Sequence, residues 1–267
     1  MNKKFLELAK KSKVIVIKVG SNILVNEKHV LRRKWLNSLI EDVKELQKRG
    51  SKIIIVSSGA IALGRNILSK KKLTNLHEKQ AAASIGQIQL SQQWQKAFAK
   101  LNIQSSQILI TAEDLNERRK YLNIRNTIYS LMDLNVVPII NENDTTSTEE
   151  IRFGDNDKLS AMIANALSAE LLILLSDVNG LYTANPKKSL QAKLITSVEE
   201  VDQQIEKYID KDLSEFGSGG MLAKINAAKL CIQSGSTMII SNGLVNNPLS
   251  KIDPQSSTWF HPSKNIL

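Results

Sequence analysis

Six short apolar runs, most of them β-branched, constrain this chain more than any other feature: VIVI at 14–17, IIIV at 53–56, ILI at 108–110, VVPII at 136–140, LLILL at 171–175 and MII at 238–240. None alternates with polar residues, which is the signature of strands covered on both faces. Between the runs lie patterns of helical period. Over residues 31–46, Leu31, Trp35, Leu39, Val43 and Leu46 form one stripe, with Glu41, Lys44, Glu45 and Lys48 outside it and Gly50 placed to stop the helix. Residues 78–101, 115–134 and 155–167 read as three further helices. Alternating strands and helices predict an α/β fold with a largely parallel sheet sheathed by helices on both sides. No internal repeat, low-complexity stretch or linker divides the 267 residues, so one α/β unit with two lobes is expected.

Composition narrows the setting. A single cysteine, Cys231, cannot form an intramolecular disulfide and fits a reducing, cytoplasmic location. The lysines near the N-terminus are followed by no secretory apolar core, and no run approaches the roughly 20 residues of a membrane span, so neither export nor a membrane partner is expected. The net charge of +10 implies attraction to anions. Its lysines are scattered, as at Lys3, Lys4, Lys10, Lys11 and 70–72, and aromatic residues make up only 4% of the chain, so solvated faces account for them and no nucleic-acid partner is expected. Residues 1–12 read as a peripheral extension.

In open parallel sheets ligands bind beyond the carboxyl ends of the strands, so the polar residues there are the candidates. Lys18, followed by Val19, Gly20, Ser21 and Asn22, can present an ammonium and backbone N–H groups to a phosphate, although a strand-end lysine can equally be an edge charge. Ser57-Ser58-Gly59 and Asn141-Glu142-Asn143-Asp144 place hydroxyl, amide and carboxylate groups where a substrate bearing an amine and carboxylates would bind, with Asp144 taking the ammonium. An ordinary capped turn accounts for the second string as well. Asp155-Asn156-Asp157 opens a helix, and its two carboxylates exceed what capping requires. The sharpest signal is GSGGMLAK at 217–224. It packs three of the chain's 12 glycines into four residues just before a helix expected over 225–233, with Lys224 adding charge to a backbone cradle for phosphate. It is neither a Walker motif nor GxGxxG. As a loop lysine in solvent, Lys224 is expected to contribute little to stability.

The reaction class follows from what is missing near these loops. His29, His77 and His261 all lie elsewhere, so no histidine is at hand to take a proton from a hydroxyl. A carboxylate acceptor is already ionised and needs no base. Its obstacle is charge repulsion with a triphosphate, which two lysines and Mg²⁺ would relieve.

Taken together, IKVGSN (17–22), VSSGAIALG (56–64), NENDT (141–145), GDND (154–157), LLSDVNGLYTANP (174–186) and GSGGMLAK (217–224) resemble the amino-acid kinase superfamily, most closely the glutamate 5-kinases. The resemblance implies a three-layer αβα sandwich, with an amino-acid lobe at about 14–168 and a nucleotide lobe at about 169–267. It implies ATP- and Mg²⁺-dependent phosphorylation of the γ-carboxylate of L-glutamate, the first step of proline biosynthesis. By motif, Lys18, Lys224 and Asp157 would be catalytic, with Asp157 holding the two lysines. Ser58, Asp144 and Asn156 would bind glutamate. Lys18, Ser176, Asp177, Ser218, Gly219, Gly220, Met221, Leu222, Ala223 and Lys224 would bind ATP. A homo-oligomer is also implied. Many bacterial members continue into a PUA module, and none is expected within these 267 residues. N-acetylglutamate kinase is the nearest alternative. Those enzymes typically show two glycines after the first lysine and one further residue, whereas Ser21 follows Gly20 here, and NENDT followed by GDND points to free glutamate.

Overall fold

The computed structural model describes residues 1–70, 72–146, 156–186, 188–210 and 220–262. The first part of the chain runs α1 (Lys3–Lys11), β1 (Val14–Val19), α2 (Ser21–Leu24), α3 (Arg33–Lys48), β2 (Lys52–Ser57), α4 (Ala60–Ile67), α5 (Leu76–Ala99), β3 (Ser105–Ile110), α6 (Ala112–Asn116), α7 (Arg118–Asp133) and β4 (Val137–Glu142). The second part runs α8 (Asn156–Ala166), β5 (Leu171–Ser176), β6 (Leu181–Tyr182), β7 (Leu194–Ile195), β8 (Ser197–Val198), α9 (Gln203–Asp210), α10 (Met221–Gln233), β9 (Thr237–Asn242) and β10 (Thr258–Phe260).

The six apolar runs all become strands, and they join in one sheet of order β3-β4-β2-β1-β5-β9-β10-β8. Every pairing in it is parallel except that of β10 with β9. Because side chains alternate along a strand, a run that is apolar throughout can feed two cores; the run at 108–110 does not, since β3 is an edge strand that turns Ile108 and Ile110 to one core and leaves Leu109 36% exposed. Ile15, Ile17, Ile53, Ile55, Leu171, Ile173 and Ile239 enter one core with Phe5 of α1, Trp35 and Leu39 of α3 and Trp94 of α5. Val16, Ile54, Val56, Leu172, Leu174 and Ile240 enter the other with Ile128 of α7, Ile163 of α8 and Ala228 of α10. The result is a three-layer αβα sandwich. Among the described residues no helix is long and apolar enough to cross a membrane.

Three local expectations are corrected. Residues 1–12 are not peripheral: α1 buries Phe5 and Ala9 completely or nearly so, at 0% and 1% exposure, and Asn2 ties its start to Asp253 at 2.8 Å. Its lysines lie to either side of a short apolar stripe, which the charge obscured. The single helix over 115–134 is two helices. Thr111 and Asp114 form a capping box that starts α6 early, and Glu117 then adopts an extended conformation before α7 begins. The helix after the glycine-rich loop starts at Met221, with Gly220 as its extended N-cap.

Two glycines set a close contact that bears on the site. Helices α4 and α5 approach so tightly that a Cβ on Gly64 would lie 1.8 Å from the carbonyl oxygen of Ala82, and one on Gly86 would lie 1.8 Å from that of Ala60. Only the absence of a side chain permits this approach. Helix α4 begins two residues after Ser58, so α5 braces the turn that carries it.

Candidate active site

Lys18 lies near the end of β1, flanked by β2 and β5, and its side chain is largely buried. Asp157 is the second residue of α8, and Lys224 is the fourth of α10. The three side chains converge. Lys18 Nζ stands 2.6 Å from Asp157 Oδ1, and Lys224 Nζ donates to Asp157 Oδ2 at 3.0 Å. Residues 206 positions apart thus share one carboxylate that is 2% exposed. Burial pushes the Asp157 carboxyl up, but the ammonium groups of Lys18 and Lys224 outweigh it and hold the group below the ordinary carboxylate range. The expectation that Lys224 is a solvated loop lysine is therefore wrong. It is 7% exposed, because α10 has already begun and packs its side chain inward against α8.

A second cluster forms beside the first, since Asn156 precedes Asp157. Asn156 Nδ2 donates to Ser58 Oγ at 2.7 Å and to Asn141 Oδ1 at 2.9 Å. The Ser58 amide donates to the Val19 carbonyl at 3.0 Å, so the end of β2 is fastened to the end of β1. Asp144, just beyond β4, is buried to 8% exposure, and no hydrogen bond joins it to Ser58 or Asn156. Burial first, and then the neighbouring Glu142, push its carboxyl up to about 7. A buried carboxyl poised in this way is suited to a cationic partner, which would restore its charge.

At the end of β5, Ser176 is buried and donates to Asp177 Oδ1 at 3.3 Å, while its carbonyl accepts from the Gly243 amide at 2.7 Å. Asp177 is exposed. Of the glycine-rich segment, Ser218 and Gly219 lie outside the described residues, as do Gly154 and Asp155 of the GDND string. Met221 packs against the second core, whereas Leu222 is 42% exposed. Gly220, Met221, Leu222 and Ala223 thus lead directly into the turn that delivers Lys224. Among the described residues no three His, Cys, Asp or Glu side chains come together as a metal cage.

One residue of this region has no local signal in the sequence. Gln87, on α5, accepts from Asn141 Nδ2 at 2.9 Å. It lies 54 positions from Asn141, in a helix whose other glutamines face several directions.

The sequence profile described as the amino acid kinase family matches residues 13–242. A glutamate 5-kinase of Pelagibacter ubique is 51% identical over 260 residues, covering 97% of this chain and 71% of that protein. Glutamate 5-kinase 1 of Mesorhizobium japonicum is 45% identical over 262 residues, covering 97% of this chain and 69% of that protein. Among solved structures, a UMP kinase from Ureaplasma parvum superposes with a TM-score of 0.65 at 17% identity, over 93% of this chain and 98% of its own. At that identity the likeness concerns the fold alone.

Proposed function

The chain belongs to the amino acid kinase family, and from that premise we propose that it transfers the γ-phosphoryl group of ATP to the γ-carboxylate of L-glutamate, giving L-glutamyl 5-phosphate and ADP, the first step of proline biosynthesis. The observation that carries this reading is the convergence of Lys18 and Lys224 on Asp157. The substrate is supported by the 51% identity to a glutamate 5-kinase.

A γ-carboxylate oxygen attacks the terminal phosphorus, the bond from that phosphorus to the β,γ-bridging oxygen breaks, and ADP leaves with the electron pair. No proton moves, which suits a transfer centre formed by two ammonium groups and the carboxylate between them. Lys18 and Lys224 meet the oxygens of the transferring group, where charge builds up in a loose, in-line transition state. Asp157 keeps both lysines aimed while the site is empty. Gly220, Met221, Leu222 and Ala223, with the preceding Ser218 and Gly219, and Ser176 and Asp177 at the end of β5, hold the nucleotide. ATP enters as its magnesium complex, so the ion belongs to the substrate and neutralises phosphate charge. Ser58 and Asn156 hold the amino acid, and Asp144 pairs with its α-ammonium. On this reading β1 to β4 carry the amino-acid half and β5 onward the nucleotide half, in a cytoplasmic homo-oligomer.

An ADP-release assay across glutamate, N-acetylglutamate, aspartate, carbamate and UMP tests the assignment. Turnover with glutamate well above the others is expected. Preference for N-acetylglutamate or UMP would overturn it.

A further inference from the structure

Among the described residues the Asn156 carbonyl oxygen Oδ1, in a side chain that is 2% exposed, is buried and has no hydrogen-bond partner. Buried acceptors are seldom left unmet, and one beside a binding site awaits a donor. What presents this acceptor rather than the amide nitrogen is a chain of amides reaching outward. Asn156 Nδ2 donates to Asn141 Oδ1, Asn141 Nδ2 donates to Gln87 Oε1 at 2.9 Å, and Gln87 Nε2 donates to Gln107 Oε1 at 3.3 Å on the exposed edge strand β3. Ser91 adds a contact to Gln87 Nε2 at 3.2 Å.

Such a chain has a direction. Turning the Asn156 amide over would set its oxygen against Asn141 Oδ1, two acceptors face to face, unless Asn141 and then Gln87 turned as well. Ser58 does not decide the matter, because a hydroxyl can donate or accept. The Ser57 carbonyl oxygen also faces Asn156 Nδ2, but at 3.5 Å, the limit of hydrogen-bonding reach, so the orientation of Asn156 is set chiefly by the group that faces Asn141 from α5.

We infer that Gln87 is a positioning residue for substrate selectivity: it fixes the amide chain so that Asn156 offers Oδ1, an acceptor, to the α-ammonium of the bound amino acid. The inference rests on the glutamate reading above. Gln87 itself touches no substrate. Asp144 supplies charge for the ammonium, and Asn156 supplies the directed acceptor.

The test compares the wild-type chain with Gln87→Met and Gln87→Glu in steady-state ADP release with MgATP and glutamate, alongside thermal melts. Methionine fills the space but neither accepts nor donates well, so the amide chain loses its direction. Glutamate can only accept, so it holds Asn141 Nδ2 toward itself and preserves the orientation. Gln87→Met is expected to raise the glutamate KM roughly tenfold or more, the scale of a lost hydrogen bond to a charged group. Its kcat and its ATP KM should stay close to wild type, and its melting temperature should fall by no more than several degrees, the cost of leaving Asn141 Nδ2 unmet. Gln87→Glu is expected to keep the glutamate KM within roughly threefold of wild type, since the acceptor facing Asn141 remains. An unchanged KM in Gln87→Met, an equal rise in both variants, or a rise in the ATP KM instead overturns the relay. A wild-type chain that does not turn over glutamate overturns the functional reading and the relay together, so the two failures are distinguishable.

Discussion

Replacing Asp157 with asparagine isolates the electrostatics of the site. The change preserves shape and removes the one carboxylate that two buried ammonium groups share, at 2.6 and 3.0 Å. Breaking a buried ion pair from one side leaves charge uncompensated, at a cost of about 3–5 kcal/mol. Two lysines, 10% and 9% exposed in their side chains, lose this carboxylate together, which argues for the upper part of that range. For a chain of this size roughly 2–4 °C of melting temperature accompanies each kcal/mol, so a fall of roughly 8–20 °C is expected at neutral pH. The phosphates of a bound nucleotide would replace the lost countercharge. A non-hydrolysable ATP analogue with magnesium should therefore raise the melting temperature of Asp157→Asn by several degrees more than that of wild type, through preferential binding to the folded state. The pH dependence has a definite sign. The Asp157 carboxyl is held below its unfolded range, so its stabilisation is full above the unfolded carboxylate pKa and is lost as pH falls through the folded value. The variant should lack that part of the acid-side loss. Differential scanning fluorimetry with and without the analogue, from pH 4 to 8, reads all of this. A variant that melts with wild type and gains no more from the analogue would refute the claim that Asp157 is the shared countercharge.

Three other outcomes follow from the same geometry. Lys224→Ala should lower kcat roughly 10³-fold or more, by analogy with removing a cation from a transferring phosphoryl group. It should also cost about 1–3 kcal/mol, because the lysine is buried and paired; near-normal turnover in the ADP assay would remove it from the reaction. Below about pH 7, kcat/KM for glutamate should fall as Asp144 gains a proton and can no longer answer an ammonium with charge, and a pH–rate profile flat from 5.5 to 8 would contradict that role. Gly86→Ala forces a methyl group into the Ala60 carbonyl oxygen 1.8 Å away, so it should destabilise the chain by about 1–3 kcal/mol or more and raise the glutamate KM by shifting the turn that carries Ser58. A Gly86→Ala melt matching wild type would show that α4 and α5 separate freely.

The strands were legible because each carries a run of three to five apolar residues, and all but the edge strand β3 feed both cores; Lys18, Ser58, Asn141 and Ser176 were legible because they sit where those runs stop. Gly50 marked the end of α3 and does adopt a left-handed φ of +94°. What escaped sequence reading was short or nonlocal. Helix α1 has one buried aromatic among four lysines, and its pattern reads as charge. Strand β10 is three residues, TWF, too few to establish a period, and it lies between β9 and β8, antiparallel to the first and parallel to the second. The burial of Lys224 depends on where α10 begins, and a glycine-rich string does not fix that within a turn. Gln87 acquires its role only when α5 is laid across the end of β4, a contact between residues 54 positions apart.

Strand β1 is bonded to β2 along six residue pairs and to β5 along five, and Lys18 belongs to both ladders. Swinging the two sides of the sheet apart would tear the β1–β5 ladder, so the molecule has no axle at its middle. Whatever admits and releases reactants must be local: side chains that rotate, and the turns that follow the strands. A lysine mounted on that seam keeps its bearing on both neighbours, whatever the turns around it do.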